Sequence, residues 1–576
     1  MHRDLARMAN TEHDVVVIGG GVHGACAAWE AARRGLRVAL VEAADFGHAT
    51  SSNSLRTFHG GIRYLQQLDF QRMRESIRER REWLRLAPHL VQPMRFVLPT
   101  VGHGLRGPEA LGLALVANDL VSADRNRGVH ADKMLPRGEL WSASRARDAF
   151  AGTAVEGMNG AAAWFDAICT NTERLLISIV SAAAVEGTQV ANYARAVALK
   201  RRAGAICGVR VRDEIDGVTF DLRARAVINA AGPWVDETLR LGTSHTHARL
   251  FGSSKAFNLL TRPLPFTDGI GLACPRHDRG DGVPDTGTNT YFVIPWNGHS
   301  LIGTRHLRCD PAMRTCTVGS AEVQAFLGEI NGVLGRYRLT TSDVQGVFCG
   351  LLPEHEDNPG REVALIKSAR VIDHGVDDAV SGLYSVVGIK WTTARAVAER
   401  AVVMVCERLN LPEAPVANRQ RNLFARSAKG APRIELTSDA RRHLEQTYGP
   451  GTTGVEELIA ENPALSERVV HDLPVMKAEV LHATRVEMAR HLADVVRRRL
   501  PLYLSQALDV RALASCATLM QRELDWTKAE ISRQIAAAEA LLQAFRGASS
   551  RETSRESALR AVPTAHTNFP KSSTGS

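Results

Sequence analysis

The chain has 576 residues, 44% of them hydrophobic and 23% charged, the make-up of a globular protein too long for one core, so two or three domains are expected. No apolar run reaches the roughly 18 residues of a membrane-spanning helix, and the opening MHRDLARMANTEHD lacks the apolar core of a secretion signal. The formal net charge of +9 is spread along the chain rather than blocked, which suits an anionic small molecule or a weak hold on anionic lipid and excludes nucleic acid as an expected partner.

Val15 to Ile18 is an unbroken β-branched run, as a strand buried on both faces requires. Gly19, Gly21 and Gly24 follow in G-x-G-x-x-G spacing. The first permits a tight turn, the second lets backbone approach a pyrophosphate, and the third lets helix pack close on strand. Ala25 to Arg34 reads as that helix, Gly35 ends it, and Leu36 to Val41 supply a second strand. Glu42 then stands where an acid accepts hydrogen bonds from a ribose. The whole reads as a βαβ unit for an adenine dinucleotide. Next come small hydroxyls, Thr50, Ser51, Ser52 and Ser54, where the chain could pass a cofactor phosphate. His59, Arg63 and Tyr64 stand around a Gly60-Gly61 pair that would let backbone come close to a flat ring.

Residues 69–86 form a basic amphipathic helix with Phe70, Met73, Ile77 and Leu84 on one stripe. The plain expectation is a helix packed on the domain with its charged face solvated; a membrane-surface role is the alternative. Val227 to Ala230, followed by Gly232-Pro233, reads as the last buried strand of the dinucleotide domain. The stretch from about 250 to 345 has shorter strands and many polar turns, which predicts a mostly antiparallel sheet roofing the cofactor. The turn at Gly388 leads into a helix whose first N–H groups, with Lys390, could carry negative charge. Composition shifts over 409–436, marking a linker, and the pattern beyond it is helical. Ala478 to Arg499 has Leu481, Met488, Leu492 and Val495 at helical spacing, and Thr527 with Glu530 makes a capping box. The Ser/Thr-rich stretch 547–576 is expected to be disordered. The nine cysteines contain no C-x-x-C pair, which argues against zinc or an iron–sulfur cluster and for reduced thiols in a cytoplasmic setting.

The segments VVVIGGGVHGA, ATSSNS, HGGIRYL and APHLVQPMRFVLP resemble the FAD-dependent glycerol-3-phosphate dehydrogenases, within the wider D-amino-acid-oxidase-like flavoproteins. The resemblance continues through Asn171 to Leu175, Val227 to Val235, Tyr291 to Trp296 and Gly388 to Arg395, and covers residues 14 to 545. It implies FAD rather than NAD. The implied fold is α/β: a Rossmann-like FAD-binding domain, an antiparallel-sheet substrate domain and a C-terminal α-helical domain. The expected boundaries are 14–100, 150–250 and 345–408 for the discontinuous FAD-binding domain and 101–149 and 251–344 for the substrate (cap) domain. A linker at 409–436, a helical domain at 437–546 and a tail at 547–576 complete them.

The implied activity is oxidation of glycerol 3-phosphate to dihydroxyacetone phosphate, with electrons passed to a quinone or another acceptor and no metal. The resemblance also allows peripheral contact with the cytoplasmic face of a membrane, and a homodimer. His59, Arg63 and Lys390 match the family's catalytic and substrate-binding positions; Gly19, Gly21, Gly24, Glu42, Thr50, Ser51, Ser52, Gly232, Gly388 and Thr392 are the expected FAD contacts. Departures cluster on the substrate pocket. Leu352 stands where the family commonly has an arginine, Asn258 where it has a histidine, Arg305-His306 for a Thr-Asp pair, and Arg56 for a lysine. Arg56, Arg305 and Lys367 are the candidates to replace the lost cation. The altered pocket keeps open a second reading, oxidation of another hydroxy acid or amino acid on the same scaffold, and behind it a flavin-binding protein without turnover.

Overall fold

A computed structural model describes residues 1–104, 107–242, 249–275, 288–310, 313, 316–355, 363, 365–366, 368–411 and 434–547. Two sheets organise them. The first runs in the order Arg370–Asp373, Leu383–Val387, Thr219–Asn229, Glu12–Ile18, Val38–Val41, Gln189–Ala191, and the four pairings from Leu383–Val387 onward are parallel. Side chains alternate across it as strand geometry demands. Val15 and Val17 pack toward the helices Val22–Arg33 and Ala394–Arg408, with Thr172–Val185 beside them. Val16 and Ile18 pack toward the N-terminal helix Leu5–Asn10 and the hairpin Ala194–Arg202/Ala205–Asp213. Both faces are therefore covered, which is why the strands read as continuous apolar runs.

The second sheet is mostly antiparallel, in the order Val344–Glu354, Gly252–Thr261, His299–Arg308, Thr288–Trp296, Gly269–Pro275, Val91–Val101, Met158–Cys169, Thr57–Phe58. Only Gly269–Pro275 against Val91–Val101 is parallel among its described pairings. The helix Ser320–Leu334 covers its far face through Val323, Phe326 and Ile330. The expected roofing sheet is present, but it draws strands from chain segments outside 101–149 and 251–344: Val91–Val101, Met158–Cys169 and Val344–Glu354 all belong to it. Local apolar pattern marks a strand without marking its sheet, so those boundaries do not follow sheet membership.

The helix Phe70–Leu86 buries Met73, Ile77 and Leu84 completely, so its apolar stripe is a packing face. The C-terminal helices include Lys477–Arg485, Val510–Leu524 and Lys528–Arg546, and Val495, Tyr503 and Phe545 join Trp296 and Phe348 in one core. The helix expected over 478–499 is broken: Met488 takes a left-handed φ of 61°, and a π-helical turn follows at Val495–Arg499. Thr527 caps the last helix by accepting from the Glu530 N–H at 3.2 Å. The expectation of nine reduced thiols is corrected at one pair. Cys316 and Cys349 are disulfide-bonded, with Cα atoms 5.8 Å apart and a sequence separation of 33, which carries no sequence signature. Most of the expected linker at 409–436 (residues 412–433) and of the expected tail at 547–576 (residues 548–576) falls outside the described residues.

Candidate active site

A cavity of about 1360 Å³ opens at the C-terminal ends of the parallel strands and runs under the second sheet. In α/β sheets this is where strand ends and helix N-termini leave room and polarity for a ligand. Gly19 turns the chain at φ 104°, Gly21 lines the cavity, and Gly24 lies behind it, where an added Cβ would come within 1.8 Å of the Gly19 carbonyl oxygen. The third glycine is thus a packing residue, as its motif position requires.

Glu42 lines the same end of the cavity. Its carboxylate accepts from the Gly20 N–H at 2.6 Å and the Ala44 N–H at 2.8 Å. Burial opposes its charge, but His48 and those two N–H groups hold it below the ordinary carboxylate range. Gly232, at φ 60°, also lines this end, beside Trp234 stacked on His48 at 5.8 Å. The three expected hydroxyls divide by what they touch. Ser51 accepts from the Val22 N–H at 3.0 Å, so its own proton stays available to the cavity. Thr50 lines the cavity but donates to the Leu351 carbonyl at 2.8 Å. Ser52 is buried and donates to the Gly47 carbonyl at 2.5 Å, outside the lining.

The other end gathers His59, Lys390, Gly388 and Thr392 with His23, Asn258, Thr304, His306 and Leu352. Alternation along the strands decides which side chains enter. On His299–Arg308, Thr304 and His306 face the cavity, while Arg305 points the other way and pairs with Glu329 at 2.9 Å. Ala256 lies opposite both His306 and Gly350, and the Thr304 hydroxyl donates to Asn258 Oδ1 at 2.7 Å. Burial, then the charges of Lys390 and Arg63, lower the His59 pKa to about 3, so its imidazole is neutral at ordinary pH. Burial also lowers His306, together with Arg63, to about 4. Lys390, 4.5 Å above the Tyr64 ring, is lowered to about 8 by burial and by Arg63.

Arg63 itself is exposed on the turn Ile62–Gln67, outside the lining, although its charge reaches all three of these groups. Two of the candidate replacement cations are committed elsewhere. Arg56 is fully buried, paired with both oxygens of Glu173 at 2.6 and 2.9 Å, and lies over the Trp296 ring; Arg305 is held by Glu329. Lys367 lies outside the described residues.

The residues present fit an FAD. His23 Nε2 and Thr392 Oγ1 are buried, line the cavity and have no hydrogen-bond partner in the protein, an arrangement that costs stability unless a bound polar group completes it. Glu42 is placed for a ribose, and the N-terminus of the helix Val22–Arg33 with Ser51 for a pyrophosphate. Sequence reasoning missed His23, which occupies a free position of the glycine motif. It also missed Asp45 and the Arg498–Arg499 pair that meets it from more than 450 residues along the chain.

Comparison with known proteins agrees with this geometry. Residues 14–403 match the FAD dependent oxidoreductase family, and residues 408–531 match the C-terminal domain of alpha-glycerophosphate oxidase. A glycerol-3-phosphate dehydrogenase of Synechocystis sp. is 29% identical over 92% of this chain and 97% of its own length. Glycerol-3-phosphate dehydrogenase 2 of Mycobacterium tuberculosis is 30% identical over 92% of this chain and 88% of its own. The solved structure of the glycerol-3-phosphate dehydrogenase from Bacillus halodurans complexed with FAD shares the fold. Its TM-score is 0.75 at 22% identity, over 95% of this chain and 98% of that one. With a dinucleotide cavity floored by G-x-G-x-x-G and a matching helical C-terminal domain, the chain belongs to the FAD-dependent oxidoreductases, in the family of the glycerol-3-phosphate dehydrogenases.

Proposed function

We propose that this enzyme oxidises glycerol 3-phosphate to dihydroxyacetone phosphate and passes the electrons to a quinone or another acceptor. The observation that carries this reading is the pairing of a neutral His59 with a cationic Lys390 at the end of the cavity that the Gly388 turn closes. FAD, when bound, supplies the hydride acceptor. The protein's own part is to hold, orient and deprotonate. His59, uncharged, accepts the proton of the alcohol being oxidised. Lys390, with the Arg63 charge behind it, holds the anionic end of the substrate. The second sheet keeps water from the reacting carbon.

The binding of the phosphate differs from the family pattern in a definite way. Leu352 enters the cavity where the family commonly carries an arginine, and Arg56 and Arg305 are engaged by Glu173 and Glu329. This favours, as the second reading, a substrate with a smaller anionic group, a hydroxy acid or amino acid. Anaerobic mixing of the flavoprotein with glycerol 3-phosphate separates the two. Rapid bleaching of the flavin band supports the first reading; a band that dithionite bleaches and glycerol 3-phosphate does not overturns it.

Peripheral contact with the cytoplasmic face of a membrane is part of the same proposal. On the helix Pro108–Val121, Leu113, Val116 and Leu120 are 71%, 58% and 73% exposed along one face. Leu68 and Phe70 are exposed on the neighbouring segment, and Arg74 and Arg78, half-exposed and paired with Asp124 and Glu79, lie on the adjoining basic helix. An apolar row beside guanidinium groups suits an anionic lipid surface.

A further inference from the structure

The C-terminal helical unit carries three consecutive arginines, Arg497, Arg498 and Arg499, in its π-helical turn, and all three are buried. None is used by the reaction outlined above. Arg499 makes a two-pronged pair with Asp45, at 2.7 and 2.8 Å, and Arg498 adds a third bond to the same carboxylate at 2.6 Å. Asp45 is fully buried and sits three residues beyond Glu42, at the start of the loop that lines the cofactor cavity through Ala49 to Thr57. Asn192 completes its shell at 3.0 Å. Arg497 grips the far end of the same loop: it pairs with Glu173 at 2.7 Å, and Glu173 holds Arg56 on its other side. Arg497 also reaches Asn53 Oδ1 at 3.5 Å, and its guanidinium lies 4.2 Å from the Tyr503 ring centroid.

Four buried guanidiniums, Arg56 among them, and three buried carboxylates, Asp45, Glu173 and the Asp494 that also pairs with Arg498, are costly to assemble, and removing one partner strands the other in a dry interior. A packing interface alone would be served as well by apolar side chains. What this network provides is a fixed position for both ends of one loop: Asp45 beside the ribose acid Glu42, and Arg56 just before His59. We infer that the C-terminal unit is a clamp on the cofactor loop, and that Arg497, Arg498 and Arg499 are positioning residues for FAD, acting through Asp45 and Glu173. The inference rests on FAD being the occupant of the cavity, and it gives the helical unit a role that its own sequence does not display.

The test is FAD rebinding to apoprotein prepared from the full chain, read by flavin fluorescence, with the apoprotein Tm measured in parallel. Asp45→Asn keeps the shape and removes the charge; Arg498→Lys keeps the charge and shortens the reach, and serves if the first variant does not fold. In variants whose apoprotein Tm stays within a few degrees of the original, the FAD dissociation constant is expected to rise roughly tenfold or more. A dissociation constant within about twofold of the original in both variants overturns the clamp, as does weakened binding that appears only with an equal loss of apoprotein Tm. Unaltered apoprotein that takes up no FAD would instead sink the cofactor assignment, so the two failures are distinguishable.

Discussion

At Lys390, burial and the neighbouring Arg63 bring the ammonium pKa down to about 8, so its charge is lost as pH rises through that value. His59 is already neutral far below it. We therefore expect kcat/KM for the anionic substrate to be level through neutral pH and to fall above about pH 8. Lys390→Arg should push that alkaline limb upward by well over a pH unit, because a guanidinium stays charged; a pH–rate profile measures both. At Leu352 the expectation is a gain. Leu352→Arg should lower KM for glycerol 3-phosphate by roughly tenfold or more through a charge-assisted fork, and steady-state kinetics checks it. At this scale the sequence was informative about residue types and poor at partners. Arg56 and Arg305 are visible as cations near the pocket motifs, but Glu173 and Glu329, which engage them, lie in other elements. Strand alternation separates Arg305 from His306, and a one-residue slip in the strand assignment would have exchanged them.

The βαβ unit from Glu12 to Val41 was legible because each of its parts has a local cause: a two-sided apolar strand, three glycines with distinct duties, and a helix of small residues against the sheet. The amphipathic helix was harder. The helix Phe70–Leu86 shows an apolar stripe whose Met73, Ile77 and Leu84 are packed, while the helix Pro108–Val121, which sequence reasoning did not single out, leaves Leu113, Val116 and Leu120 outside. Periodicity tells which residues share a face, and tertiary contacts decide what covers it. Replacing Leu113 and Leu120 with aspartate is expected to reduce co-sedimentation with anionic vesicles severalfold or more while leaving flavin reduction by substrate in solution unchanged. The break after Arg485 is another feature that spacing could not show. Helical periodicity runs straight through Met488, but the left-handed residue there redirects the chain and leads it into the turn that presents the arginine run to the first domain.

In the whole molecule the cofactor cavity is a junction: its floor comes from the parallel sheet, its roof from the antiparallel one, and its loop is held from behind by the C-terminal helices. Ligand binding stabilises whatever it orders, by RT ln(1 + [L]/Kd). FAD should therefore slow amide exchange in residues 492–504, far along the chain from the glycine motif, as well as in the cofactor loop. Hydrogen exchange of the apo and holo forms measures this, and protection confined to residues 14–60 would contradict it. The fold class was readable at this scale; the division of strands between sheets was not, because pairing partners are set by long-range register.

The ion pairs at Asp45 also bear on the order in which the protein is made. Asp45 precedes its partners Arg498 and Arg499 by 453 and 454 positions. Until those arginines leave the ribosome, the nascent first domain carries a carboxylate in a site built to be dry, with no cation opposite it. The domain that holds the nucleotide motif thus cannot reach its final form while it is being synthesised, and a chain stopped after residue 408 should be recovered mainly as aggregate or as protein that does not retain flavin.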